Sequence, residues 1–142
     1  MGCDIHLHTE VKINGEWQHY SVCHVTRNYA LFALMADVRN DGSIEPVSLQ
    51  KGLPMNMTPL TKFDYQDWKL DAHSSSWLTA SEIKELHEKC KELNIFKYDR
   101  SMFGFSDSFG YLFGNDWSGF IKYPDERLEG LEDVRFIFWF DN

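Results

Sequence analysis

Apolar and polar residues alternate along the first part of the chain, and a two-residue turn signal interrupts the alternation. The apolar residues before the turn share one parity: Ile5, Leu7, Val11 and Ile13. A period of two is typical of a strand with one buried face. Asn14-Gly15 matches the pair of positive-φ residues in a type I′ turn. We therefore predict a β-hairpin over residues 3–25.

The turn also predicts the register of this hairpin. If Ile13 pairs with Glu16, the numbers of facing residues keep a constant sum along both strands. The predicted pairs are His6 with Cys23, His8 with Ser21, Glu10 with His19 and Asp4 with Val25. One face is then apolar, and the other carries Asp4, His6, His8, Glu10, Trp17, His19, Ser21 and Cys23.

The pattern after the hairpin predicts a buried helix followed by a long connection. Residues 28–40 are apolar nearly all round, and Asn40-Asp41-Gly42 supplies a stop signal. Residues 41–78 are rich in turn formers and are expected to be largely irregular. Within them, a short helix is expected to open at Thr58-Pro59 and to run toward Trp68.

The second half of the chain adds a helix and a strand. Thr79 and Glu82 have the spacing of a capping box, which predicts a helix over residues 79–93. Residues 99–123 combine glycines with aromatic rings and suggest short strands or a packed loop. Residues 134–140 are apolar on both parities apart from one arginine, which is typical of a central strand covered on both faces.

These elements together predict an α+β fold. The 142 residues fit a single domain, residues 1–142. In it, the N-terminal hairpin belongs to a mostly antiparallel sheet with a central C-terminal strand, and two main helices pack on that sheet.

Charge and cysteine content narrow the function classes. A net charge of −8 argues against a nucleic-acid duplex or an anionic membrane as the main partner, and no segment is long and apolar enough to span a bilayer. Three cysteines without a signal peptide indicate a reducing compartment, so we expect a cytoplasmic protein. A small ligand, a metal ion or a protein partner stays open.

The first candidate for chemistry is the motif Asp4-x-His6-x-His8. Alternate residues of a strand point the same way, so the three side chains would line one face. Cys23 would lie across from His6, about 5 Å away at the Cβ atoms. Carboxylate, imidazole and thiolate are the usual zinc ligands. We therefore consider a divalent metal, zinc or manganese, beside two alternatives, a polar pocket without metal and an ordinary solvated surface.

The second candidate is Asp71-x-His73-x-Ser75, in the long connection. His73 could act as a general acid or base oriented by Asp71, or both could complete a metal site begun on the hairpin. The alternative is a turn in which the aspartate and serines cap the backbone.

The third candidate is a ligand-binding set around Arg27-Asn28-Tyr29. The start of a helix offers free N–H groups and a positive dipole end, and Arg27 adds a bidentate donor for phosphate. Arg39 lies at the far end of the same predicted helix. Further residues expected to contact the ligand are His8, Ser75 and two stacking rings, Trp17 and Trp77.

Five segments stand out as units: Met1-Gly2-Cys3-Asp4-Ile5-His6, Arg27-Asn28-Tyr29-x-Leu31-Phe32-Ala33, Lys51-Gly52-Leu53-Pro54, His73-Ser74-x-Ser76-Trp77-Leu78-Thr79 and Phe138-Trp139-Phe140-Asp141-Asn142. Together they resemble a recurring family of small bacteriophage and prophage proteins. Members of that family tend to read His-Ser-His-Ser-Trp, so Ser75 departs from the pattern. The resemblance implies a phage product acting in the host cytoplasm, where small proteins of this kind often blunt host defence.

Three functions are therefore compatible with the sequence. The first is a protein that binds and sequesters a small phosphorylated, nucleotide-derived ligand, such as a host defence signal. The second is a metal-dependent phosphohydrolase acting on such a ligand. The third is a protein-interaction inhibitor of a host enzyme. Homo-oligomer formation is compatible with all three.

Overall fold

A computed structural model describes residues 2–25, 27–95 and 129–142. In chain order its elements are β1 (Asp4–Ile13), β2 (Glu16–Cys23), α1 (Tyr29–Ala36), α2 (Pro59–Trp68), β3 (His73–Leu78), α3 (Ala80–Glu92) and β4 (Leu131–Asp141). The short strands or packed loop predicted for residues 99–123 lie outside the described residues.

The four strands form one antiparallel sheet in the order β2-β1-β4-β3. The C-terminal strand β4 is therefore central, between β1 and β3, and residues 134–141 are all buried. This arrangement confirms the predicted α+β fold. The turn prediction is also confirmed, since Asn14 and Gly15 both have positive φ, at 51° and 77°.

One face of the sheet packs against α1 and α3 to form the apolar core. Residues 31–36 of α1 are all buried, and the ring of Phe32 lies 5.1 Å from the ring of Phe140. In α3, the predicted capping box of Thr79 and Glu82 is present, and Ile83, Leu86 and Cys90 are buried.

The opposite face of the sheet is covered by α2. This helix and β3 both fall within residues 41–78, which were expected to be largely irregular. The short helix was predicted, whereas β3 was not. None of the helices in the part of the chain that the structure describes has the length and apolar character needed to cross a membrane.

The predicted hairpin register is correct near the turn and wrong beyond it. Glu10 pairs with His19 as expected, but the next pair is Thr9 with Ser21. The register shift is a β-bulge, which places one unpaired residue, Tyr20, on β2. Because a shift of one residue exchanges the two faces of a strand, the rest of β2 is reversed relative to the prediction.

The reversal changes two predicted pairs. His8 pairs with Val22 instead of Ser21, and Cys23 pairs with Leu7 instead of His6. The predicted pair of Asp4 with Val25 lies outside the β1–β2 ladder, because β2 ends at Cys23.

Helix α1 is shorter than predicted. It ends at Ala36, and the next residue, Asp37, has a left-handed conformation with φ 60°. The N–H of Asp37 donates to the carbonyl of Ala33, and the N–H of Val38 donates to the carbonyl of Phe32. Aspartate tolerates this conformation better than most residues. The side chain of Asn40 instead binds Asp37 and the carbonyl of Ile44, so it orders the following loop.

Candidate functional site

The polar face of β1 lies beneath α2 and is not an open platform. The helix and its N-cap contact β1 through Thr58, Thr61, Asp64 and Trp68, which follow helical spacing. Tyr65, on the same side of the helix, packs on Trp139 of β4. The first turn of the helix lies over Glu10 and its last turn over His6, so α2 runs antiparallel to β1. A buried polar layer therefore separates the helix from the sheet.

A buried ion pair forms one end of this layer. The Oε1 atom of Glu10 accepts from Nε and Nη2 of Arg135, at 3.0 and 2.7 Å. The Oε2 atom accepts from the backbone N–H and hydroxyl of Thr58 and from the hydroxyl of Thr61. Burial alone would raise the pKa of Glu10, but the hydrogen bonds from the two threonines and Arg135 outweigh it and hold the pKa below its ordinary value.

Next along β1, His8 joins two further titratable groups. Its side chain is 1% exposed. Its Nε2 atom lies 2.6 Å from Oδ2 of Asp64, and its Nδ1 atom lies 2.9 Å from Nε2 of His19. We call this set the Asp64–His8–His19 chain. Burial and the neighbouring His8 lower the pKa of His19, although Glu10 and Asp64 act in the opposite direction.

Toward the start of β1, His6 binds the end of β4. Its Nε2 atom lies 2.6 Å from Oδ2 of Asp141, and its ring packs 4.1 Å from the ring of Trp68. The ring of Trp139 stacks on His6 and His8, at 5.9 and 5.4 Å. His6 and His8, which were predicted to bind a metal, therefore make hydrogen bonds and ring contacts within the protein.

The predicted metal ligands do not converge on one point. Cys23 is buried on the core face because of the bulge, and it does not lie across from His6. Asp4 instead forms a bidentate ion pair with Arg27, with both contacts at 3.1 Å. Within the described ranges, no group of three or more histidine, cysteine, aspartate or glutamate residues is arranged to hold a metal ion.

Several predicted ligand-binding residues do meet, at the end of the sheet where β1 begins and β4 ends. The carbonyl oxygen of the Asn142 side chain accepts from Nε2 of His73 at 3.1 Å and from Nη2 of Arg39 at 3.5 Å. The guanidinium of Arg39 lies 5.4 Å from the ring of Tyr29. We call Arg27, Tyr29, Arg39, His73 and Asn142 the sheet-end cluster.

The start of α1 is attached to the same end of the sheet. The hydroxyl of Tyr29 accepts from the backbone N–H of Cys3 at 3.2 Å. Asn28 caps the helix, with its side-chain oxygen accepting from the N–H of Leu31. Arg27 reaches the first strand through Asp4. The structure therefore gathers residues from five separate segments of the chain.

The remaining predicted residues lie elsewhere. Asp71 does not orient His73, whose ring nitrogens contact Ser74 and Asn142. The ring of Trp77 lies under the ammonium of Lys51, 4.2 Å away. The carbonyl of Ser75 accepts from the N–H of Gly52 at 3.0 Å.

Trp17 also has an intramolecular partner. The guanidinium carbon of Arg135 lies 4.0 Å from the centre of its ring. One face of this predicted stacking platform is therefore occupied by the arginine that binds Glu10.

Sequence reasoning missed Asp64, Arg135 and Asn142 as site residues, and it gave His19 no role. One signal was present, since Thr61, Asp64, Tyr65 and Trp68 follow the three-to-four spacing of a helix face. That spacing predicts a shared face, but it does not say that the face covers His8.

Comparison of this chain with protein families, with curated proteins and with solved structures finds no match.

Proposed function

We propose that this protein binds and sequesters a small phosphorylated, nucleotide-derived ligand at the sheet-end cluster. The observation that carries the proposal is the shared acceptor at Asn142, which takes hydrogen bonds from both Arg39 and His73. Two donors that converge on one neutral oxygen could also converge on a phosphate oxygen. The phosphate would gain charge-assisted hydrogen bonds, which are stronger than bonds to an amide.

The contact between Arg39 and Asn142 supports the idea that a phosphate oxygen could take the place of the Asn142 oxygen as the acceptor. Its length of 3.5 Å is long for a hydrogen bond from a guanidinium to an oxygen. A phosphate oxygen would draw the guanidinium closer, because its negative charge attracts the group more strongly than an amide carbonyl does.

Arg27 and the beginning of α1 form the outer side of the proposed site. The Asp4 carboxylate raises the pKa of Arg27, which stays cationic. Both side chains of this ion pair are half-exposed, so an exposed phosphate could share the guanidinium with Asp4. The first N–H groups of a helix also favour a bound anion.

The proposed setting is the cytoplasm of a host cell, where the ligand would be a signal that a phage protein removes. The resemblance to phage proteins supports this setting, and so do three free cysteines, all of them buried. Sequestration is favoured over metal-dependent hydrolysis because the predicted metal ligands are dispersed among other partners.

Isothermal titration calorimetry with 5′-AMP and with adenosine, both in the presence of EDTA, tests the proposal. We expect 5′-AMP to bind without metal and adenosine to bind at least about tenfold more weakly, since one charge-assisted contact is worth about 1.5–3 kcal/mol. Arg39→Gln should weaken 5′-AMP binding by a similar factor. Lys62→Gln is the matched control, since it removes the same charge from an exposed position on α2.

Two outcomes would contradict the proposal. Equal affinity for 5′-AMP and adenosine would show that phosphate is not recognised. Loss of 5′-AMP binding in EDTA, with recovery on adding zinc or manganese, would favour the metal-dependent phosphohydrolase instead.

A further inference from the structure

The Asp64–His8–His19 chain lies apart from the sheet-end cluster and has no part in the proposed binding site. Its middle member, His8, lies beneath α2 and is 1% exposed, and one end is Asp64 of α2, whose side chain is 36% exposed. The other end is His19, a partly buried residue on the edge strand β2. The buried imidazole of His8 thus links two side chains that are each partly exposed at the protein surface.

With Asp64 ionised and both histidines neutral, the hydrogen bonds allow one arrangement of protons along the chain. Asp64 is an acceptor when ionised, so the Nε2 atom of His8 carries a proton and donates it at 2.6 Å. In neutral His8, Nδ1 is then an acceptor, and it receives the proton on Nε2 of His19 at 2.9 Å. This assignment leaves the lone pair of neutral His19 on Nδ1, for which the described residues provide no hydrogen-bond partner.

One cationic residue lies on the same face of the hairpin as His19. Lys12 and His19 are diagonal neighbours on paired strands, because Lys12 faces Trp17 and Glu10 faces His19. The ring of Trp17, held from one side by Arg135, provides an apolar wall beside the cation. The β-bulge begins directly after the pair of Glu10 with His19, and bulges are frequent next to active sites.

We propose that His19 is the general base of a metal-free site that hydrolyses a small phosphoester. In the proposed step, Nδ1 of His19 takes a proton from water as the water oxygen forms a bond to phosphorus. The bond between phosphorus and the leaving oxygen breaks, and that oxygen receives the proton from His19. The products are a phosphate with one ester bond fewer and an alcohol, so no oxidant or metal is needed.

His8 and Asp64 are positioning residues in this proposal. They hold His19 in the tautomer that places the lone pair on Nδ1, as a carboxylate does for a catalytic histidine through hydrogen bonding. The lowered pKa of His19 is consistent with this role, because it keeps the ring neutral near pH 7. The charged and titratable groups acting on His19 are His8, Glu10 and Asp64.

The first test is hydrolysis of bis(p-nitrophenyl) phosphate by the full chain in EDTA, followed as release of p-nitrophenolate. General-base catalysis typically contributes 10²–10⁴ in rate, so His19→Gln should lower kcat/KM by about 100-fold or more. His24→Gln is the matched control, because His24 is an exposed histidine just beyond β2, and it should retain full activity.

The second test separates catalysis from structure. In His19→Ala, added imidazole should restore part of the lost rate, which it would not do if His19 only supported the fold. Asp64→Asn should lower kcat more than it raises KM. The ¹⁵N shifts of His19 should also show a changed tautomer balance in this variant, whereas Asp67→Asn, an exposed change on the same helix, should alter neither.

Three results would overturn the proposal: no turnover by the wild-type chain above the buffer rate, full activity in His19→Gln, or activity lost in EDTA. None depends on the sheet-end cluster. Binding of 5′-AMP is measured by calorimetry and hydrolysis by p-nitrophenolate release, so failure of this site and failure of the proposed ligand-binding site are distinguishable.

Discussion

Glu10 and Arg135 form an ion pair in the middle of the sheet, with 2.7 Å between Oε1 and Nη2 and at most 4% of either side chain exposed. The same carboxylate accepts hydrogen bonds from Thr58 and Thr61 at the start of α2. Arg135 in turn donates to the side chain of Asn56 at 2.8 Å. One buried charge pair therefore attaches α2 and the segment before it to the sheet.

We expect Glu10→Gln to destabilise the protein by about 3–5 kcal/mol, because it leaves the guanidinium of Arg135 buried without its counter-charge. Urea denaturation followed by circular dichroism measures this change. Glu16→Gln, an exposed substitution on the same hairpin, should change stability by no more than about 0.5 kcal/mol. Equal stability of the two variants would show that the ion pair does not hold α2 on the sheet.

Glu10 should also make the stability of the protein depend on pH in the acidic range. Because the pKa of Glu10 is lower in the folded chain than its ordinary value, the folded state favours the ionised carboxylate. The resulting stabilisation is fully present above the ordinary pKa and is lost as the pH falls through the folded pKa. The free energy of unfolding can be measured from pH 6 downward in roughly half-unit steps. Below about pH 4.5 it should fall more steeply in the wild type than in Glu10→Gln.

Asn28 provides a test that separates a structural role from a ligand-binding one. Its side chain accepts from the N–H of Leu31 and caps α1. Asn28→Ala should cost about 1 kcal/mol in thermal or urea unfolding, whereas Asn28→Ser should retain most of the stability, since serine is also a good cap. If Asn28→Ser keeps its stability but loses 5′-AMP binding, the residue contacts the ligand as well.

Local signals account for the parts of the fold that the sequence predicts. Asn14-Gly15 fixes the turn, the Thr79–Glu82 capping box starts α3, and the apolar run of β4 marks a strand buried on both faces. Strand β3 has no such signal, because residues 73–76 are polar on both parities and Ser74 has a positive φ of 54°. It becomes a strand by pairing with β4 at the edge of the sheet.

The candidate site depends on two features that the sequence does not encode locally. No residue type marks Tyr20 as the extra residue of the bulge, and the resulting shift moved Cys23 from the polar face to the core. The contact between His8 and Asp64 could not be predicted either, because Asp64 lies 56 residues away in sequence. Both features follow from packing between elements, which periodicity and spacing do not describe.

The three cysteines should be unreactive in the folded protein. All are buried, and burial raises the pKa of Cys90 to about 12 and shifts the pKa of Cys3 upward. A thiol reacts as its thiolate, so Ellman's reagent should label none of them in native buffer and all three in guanidinium chloride. Ser81→Cys, at an exposed position on α3, is the positive control and should add one fast-reacting thiol. Rapid labelling of the unmodified chain would contradict the buried placement.

The final prediction concerns His87, on the buried side of α3. Burial, with a smaller effect from Lys91, lowers the pKa of this histidine from 6.5 to about 4. Between these two values the unfolded chain binds more protons than the folded chain, so the free energy of unfolding must rise with pH. The shift corresponds to at most about 3 kcal/mol, fully present above pH 6.5 and lost as the pH falls toward 4.

Urea denaturation at several values from pH 7.5 to pH 4 measures how the free energy of unfolding depends on pH. This interval contains both the unfolded and the folded pKa of His87. His87→Met fills a similar volume without a titratable group, so its stability should vary much less over this interval. His24→Gln, which replaces an exposed histidine, is the matched control. If His87→Met retained the full slope, the pH dependence would come from other groups, and His19 would be the next to substitute because its pKa is also lowered in the folded chain.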